Sequence, residues 1–119
     1  MVYIYLAMGA NDWFSMRYFI SGAITKYIST PKGRKEVTDR FMNAEIELLA
    51  GQIATEVFNP ISLATEFGWE EDWKFYMKIC MSELIYCDGI YMLSGWENSR
   101  GARIEYAIAQ ELGLKLIHE

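Results

Sequence analysis

Ser94-Gly95-Trp96-Glu97-Asn98-Ser99-Arg100-Gly101-Ala102-Arg103-Ile104-Glu105-Tyr106-Ala107-Ile108-Ala109-Gln110-Glu111-Leu112-Gly113 is the stretch whose reading decides the fold. An apolar run, Gly89 to Leu93, leads into it. The stretch opens with turn-forming residues and then becomes helical, with Ser99 placed to cap the first turn and Gly113 placed just past the last. The local reading is strand, loop, helix. At helical period, Gly101, Ile104, Glu105, Ile108 and Leu112 fall on one stripe, and Glu105 is its only charge. A carboxylate that points where apolar neighbours point inward is costly to bury unless it has a partner or a task. The stripe begins one turn from the helix N-terminus, where free N–H groups and the helix dipole favour a phosphate. A site holding a phosphate beside a carboxylate is conceivable from these residues alone. The plainer alternative pairs Glu105 with Arg103 or Lys115 at the surface and leaves Ser99 as a cap only.

Working outward, Arg17 to Ile20 reads as a strand running into the small-residue loop Ser21-Gly22-Ala23-Ile24-Thr25. Lys26, Lys32, Arg34 and Lys35 follow in a loop with Pro31 and Gly33, a group able to cover a phosphate or simply to be solvated. Val37, Phe41, Ala44 and Leu48 have helical spacing, which predicts a helix from about Lys35 to Ala50, ended by Gly51. Thr55 to Phe58 is a short strand stopped by Asn59-Pro60. A loop from Ile61 to Gly68 leads to a predicted helix over Trp69 to Ile85, with Trp69, Trp73, Tyr76, Cys80 and Leu84 as a stripe read as core rather than as a base-stacking platform. Gly89 to Leu93 is the third strand and Leu114 to His118 the last. Residues 1–15, with β-branched and aromatic Val2 to Leu6 followed by a Gly9–Asp12 turn, read as an N-terminal extension or an extra strand, and residues 16–119 as the domain. Strands alternating with helices predict a three-layer, Rossmann-like α/β fold, a small parallel sheet of four to five strands flanked by helices. The carboxyl ends of those strands bring the Gly22, Asn59-Pro60 and Ser94–Gly101 loops to one edge, where such folds bind ligands.

Composition narrows the function. A length of 119 residues with 52% hydrophobic side chains predicts one domain with a packed core. A net charge of −5, with no basic face, argues against binding a nucleic-acid polymer and leaves small charged ligands open. Cys80 and Cys87 accompany a single histidine, His118, so neither a metal site nor a cofactor is expected. Both cysteines read as reduced thiols of a cytoplasmic protein. No run approaches the roughly 20 apolar residues of a membrane span, and no basic segment precedes Val2 to Met8, so neither membrane nor signal peptide is expected.

Tyr18-Phe19-Ile20-Ser21-Gly22-Ala23-Ile24-Thr25 early, with Ser99-Arg100-Gly101-Ala102-Arg103-Ile104-Glu105 late, resembles the nucleoside 2-deoxyribosyltransferase-like superfamily, which includes 2′-deoxynucleoside 5′-phosphate N-hydrolases. Cys87 to Ala102, with Asn59-Pro60 and Trp73 before it, is closest to a phage and bacterial branch of that group. The resemblance covers Met16 to the C-terminus and implies cleavage or transfer at an N-glycosidic bond. Glu105 matches the glutamate that attacks the anomeric carbon, giving a glycosyl-enzyme intermediate resolved by water or another base. Ser99, Gly101 and adjoining Arg100, with the loop of Gly22, Ala23, Ile24 and Thr25, match the 5′-phosphate site. The active-site tyrosine corresponds to Tyr18 or is replaced by Phe19, depending on the alignment. Asn59, Trp96 and Cys80 fall on the base side. There Cys80 stands where the enzymes carry an aspartate that handles the departing base, and Asp72, two turns up the same predicted helix, could serve instead. The alternative is a nucleotide-binding or nucleotide-sensing protein without turnover, which the loss of that aspartate favours, or an interaction protein using the fold as scaffold. The resemblance also implies a homo-oligomer, dimer or higher, whose neighbouring subunit completes the site.

Overall fold

A computed structural model describes residues 15–119, and the Val2–Leu6 strand expectation lies outside them. The described elements are β1 (Arg17–Ser21), a 3-10 turn (Thr25–Tyr27), α1 (Pro31–Ala50), β2 (Glu56–Phe58), α2 (Ile61–Phe67), α3 (Trp73–Leu84), β3 (Gly89–Met92), a second 3-10 turn (Trp96–Asn98), α4 (Arg100–Glu111) and β4 (Lys115–His118). All strand pairs are parallel, in the order β2-β1-β3-β4. The four-stranded, three-layer α/β fold agrees with the expected architecture.

Side-chain alternation along the central strands divides the core into its two faces. Tyr18 and Ile20 of β1, with Tyr91 and Leu93 at β3, pack against Val37, Phe41, Ala44 and Leu48 of α1. Phe19, Ile90 and Met92 point the other way, against Cys80 and Leu84 of α3 and Ala102 and Ala109 of α4. The strand order accounts for this division: β1 to β2 moves to one side of β1, and β2 to β3 to β4 moves to the other, so connections of one hand place the helices on opposite faces. The chain reverses its direction of growth between β1 and β3, which pair from Tyr18–Gly89 to Ser21–Met92.

Three boundaries differ from the sequence reading. Helix α1 starts at Pro31 rather than Lys35, with the Thr30 hydroxyl accepting from the Gly33 N–H at 3.0 Å. The cations read as a loop are therefore in and around its first turn. Gly33 begins the buried row Gly33, Val37, Phe41, Ala44, Leu48. A Cβ there would lie 2.1 Å from the Tyr27 carbonyl oxygen, so a residue that reads as a helix breaker is the one that lets the turn pack closely.

The helix predicted over Trp69 to Ile85 begins at Trp73, and the segment read as a loop contains α2. Asn59 Oδ1 accepts from the Ile61 N–H at 3.0 Å, starting α2, while Ile61 and Leu63 supply its buried side. Gly68, at φ +86°, lies just past its last turn. Trp69 accordingly leaves the α3 stripe and packs against the α1-side core. On α4 the caps hold: Ser99 Oγ accepts from the Ala102 N–H at 3.2 Å, and Gly113 adopts φ +70°. Its buried row is Ala102, Glu105 and Ala109, whereas Leu112 is 52% exposed. The two alanines allow α4 to approach the sheet, so the helix faces inward along them rather than along Ile104, Ile108 and Leu112. Among the described residues no helix is long and apolar enough to cross a membrane.

Candidate functional site

Parity along β1 decides the centre of the site. Ser21, the last residue of the strand, lies on the same face as Phe19 and is fully buried beneath α4. Its hydroxyl donates to Glu105 Oε1 at 2.6 Å. Glu105 is only 6% exposed, and among the described residues no other hydrogen bond and no ion pair reaches its carboxyl group. Arg103, a surface partner considered for it, instead donates to the Glu97 carbonyl at 2.8 Å. Burial pushes the Glu105 pKa up to about 8, against the smaller, lowering effect of the Ser21 hydrogen bond. The carboxyl group therefore holds its proton well above the ordinary carboxylate range. Ser21→Ala removes the hydrogen bond that opposes burial and is expected to raise that pKa further. An alkaline displacement of the Glu105 carboxyl resonance, followed by NMR titration, checks it.

Glu105 lies in the lining of a cavity of about 150 Å³ at the carboxyl edge of the sheet, where the chain reverses. Gly22, Ile24 and Thr25 come from the loop after β1, Pro60, Ile61, Leu63 and Ala64 from the turn and helix after β2, and Ser99, Gly101 and Ala102 from the start of α4. Trp69, Trp73, Tyr76, Met77 and Cys80 supply the largely apolar remaining wall. Gly101 permits the contact between α4 and α3, since a Cβ there would sit 3.1 Å from Met77 Sδ. Cys80 is buried, and its thiol pKa is raised by desolvation first and then by the charges of Glu105 and Glu83. It is a neutral, weakly polar wall.

Of the residues singled out in the sequence, the cavity unites Gly22, Ile24, Thr25, Cys80, Ser99, Gly101 and Glu105. Five others lie elsewhere. Tyr18 is on the α1 face, with its ring so close to Gly89 that a Cβ there would be 2.4 Å away. That placement follows from strand alternation, because Tyr18 and Ser21 are an odd number of residues apart. Ala23 is buried outside the lining, and Asn59, whose Oδ1 accepts from the Ile61 N–H in the turn before α2, lies outside it too. Trp96 stacks on Tyr106 at 4.4 Å between ring centroids, away from the cavity. Arg100 is exposed, its guanidinium 4.5 Å from the ring centroid of Trp73, so it flanks the cavity through a residue of the lining. Arg34 is similarly 6.0 Å from Trp69 and donates from Nε to the Ile28 carbonyl at 2.7 Å. Lys35 instead pairs with Asp39.

Two cavity-region residues escaped the sequence reading. Ser21 is the sole hydrogen-bond partner described for Glu105, and Glu71 lies in the lining beside Trp69. Asp72 does not line it. Among the described residues no three His, Cys, Asp or Glu side chains cluster as metal ligands.

A family model described as a domain of unknown function, DUF4406, matches residues 16–118. The chain belongs to this family. No curated protein matches it. The DUF4406 match runs from the residue before β1 to the end of β4, so it takes in every wall of the cavity.

Proposed function

We propose that this DUF4406 domain acts on the N-glycosidic bond of a nucleoside or nucleotide, as a deoxyribonucleoside 5′-monophosphate N-hydrolase or a deoxyribosyltransferase, with Glu105 as nucleophile. The observation that carries the reading is a single buried carboxyl group in a mostly apolar cavity, one turn into a helix whose first residues line the same space. The resemblance of the Tyr18–Thr25 and Ser99–Glu105 segments to the deoxyribosyltransferase-like superfamily supports it. In this reading the N-terminus of α4, with Ser99 and Gly101, and the Gly22–Thr25 loop hold the phosphate. The flanking guanidinium of Arg100 adds positive charge. The apolar wall takes the sugar and base. Ionised Glu105 attacks the anomeric carbon, the bond to the base nitrogen breaks with its electron pair leaving on the base, and water or a second base then displaces Glu105.

Because the nucleophile is the ionised form, base release is expected to increase with pH through the Glu105 pKa, near 8 in the free protein. A cytoplasmic setting, consistent with two free thiols, and a homo-oligomer whose neighbouring subunit completes the site are parts of the same proposal. Sedimentation showing only monomer at micromolar concentration removes the oligomer.

One observation favours a second reading, nucleotide binding without turnover. Cys80, where the resembling enzymes carry a carboxylate, is a buried thiol whose raised pKa makes it a poor proton donor. Chromatography of free base from a panel of deoxynucleosides and their 5′-monophosphates decides between the two. Release by the native protein supports the enzyme. No release, with a monophosphate still raising the melting temperature, supports the binding protein.

A further inference from the structure

The strap of residues 68–72 joins α2 to α3 and puts Trp69 and Glu71 into the cavity lining, with Trp73 following at the start of α3. Its backbone is held only at the two ends. The Gly68 N–H donates to the Ala64 carbonyl at 2.9 Å, and the Asp72 carbonyl accepts from the Phe75 N–H at 2.9 Å. Among the described residues, Trp69, Glu70 and Glu71 make no backbone–backbone hydrogen bond. Phe67 and Phe75 meet edge to face at 5.1 Å and hold the two flanking helix ends together. The Tyr76 hydroxyl, donating to the Gly68 carbonyl, ties the near end of the strap to α3. A segment pinned at its ends and free of ladder bonds between them can swing without breaking a helix or a sheet.

Side chains hold the strap down. Trp69 packs against the α1-side core, and the Arg34 guanidinium of α1 lies 6.0 Å from its ring centroid. Arg100 of α4 lies 4.5 Å from the ring centroid of Trp73. Helices α1 and α4 cover opposite faces of the sheet, so the strap reaches from one helical layer to the other at the edge where the cavity lies. None of the described ion pairs uses Arg34 or Arg100, so among the described residues no carboxylate competes with the indoles for either cation.

We propose that residues 68–72 are a lid over the cavity, latched by two cation–π contacts, Arg34 on Trp69 and Arg100 on Trp73. Closed, the indoles complete the apolar wall and keep water out; opened, the strap admits a ligand. The lid concerns access alone, so it holds for any occupant and goes beyond the glycosidic reading.

The two free cysteines supply the test. Each is 5% exposed, but Cys80 lines the same cavity as the strap, whereas Cys87 precedes β3 at the amino edge of the sheet and lies outside the lining. Labelling by methyl methanethiosulfonate, followed by mass spectrometry at one fixed pH, reads lid opening at Cys80 in a Cys87→Ser protein and opening of the whole fold at Cys87 in a Cys80→Ser protein. Arg34→Gln and Arg100→Gln are each expected to speed Cys80 labelling by roughly two- to five-fold, and together by about the product of the two, with Cys87 labelling unchanged. Removing a nearby cation makes a thiol harder to ionise, so its electrostatic effect on Cys80 has the opposite sign. An unchanged Cys80 rate in the double variant overturns the lid. So does equal acceleration at Cys80 and Cys87, the mark of a fold that has loosened throughout.

Discussion

Glu105→Gln is expected to lower base release by roughly 10³-fold or more, because it removes the attacking oxygen while leaving shape and hydrogen-bonding capacity nearly unchanged. Binding of a monophosphate should survive, since the proposed phosphate contacts come from other residues. The same variant should alter stability in a direction set by proton linkage. Glu105 is held at a pKa near 8, above its ordinary value of 4.5, so the folded state keeps a proton that the unfolded chain has released between those values. The stabilisation is fully present below 4.5 and is lost as pH climbs toward 8. The slope is at most about 1.4 kcal/mol per pH unit. Glutamine cannot titrate. Urea unfolding between acid and mildly alkaline pH should therefore show the native protein losing stability across this window relative to Glu105→Gln. The variant should become the more stable of the two toward pH 8. Parallel curves for the two proteins would mean that Glu105 is not held protonated.

The second large effect concerns the other side of the cavity. Gly33→Ala is expected to destabilise the protein by about 2–3 kcal/mol, read as a reduced urea midpoint. Alanine is ordinarily the better helix former, so propensity alone predicts the opposite sign. The clash decides it. A Cβ at Gly33 would meet the Tyr27 carbonyl oxygen at 2.1 Å and the Thr30 hydroxyl at 3.1 Å, and the first of these is backbone that no rotamer change can move. Relief requires shifting the 3-10 turn of residues 25–27 or the cap that Thr30 makes to the Gly33 N–H. Thr25 and Ile28 at that turn line the cavity. Weaker monophosphate binding should accompany the lost stability.

These two residues show what kind of information a sequence carries. Glu105 was legible because it is the only charge on an otherwise apolar helical stripe, bounded by a capping serine and a terminal glycine. Even there the stripe was centred too far toward Leu112, since alanines signal close packing less loudly than isoleucines. Gly33 was not legible, because the same residue type marks a loop where the backbone must bend and a contact where another backbone comes near. The layered fold and the loops that meet at one edge followed from the alternation of strands and helices. Ser21 did not follow, because its role depends on which face of β1 it occupies and on a partner 84 residues away. Tyr18 was misplaced for the same reason. Trp69 fits a helical stripe in spacing alone, because α3 begins only at Trp73.

The separation of Ser21 from Glu105 also bears on how the protein matures. Every other residue lining the cavity precedes Glu105 in the chain. During synthesis the walls are made first and the Glu105 carboxyl group last, and it becomes buried only when α4 closes over β1 and β3. Contacts across such distances form slowly, because the loops they close are long. A nascent chain interrupted before α4 thus exposes the hydrophobic face meant for that helix while lacking the buried carboxyl group of the cavity.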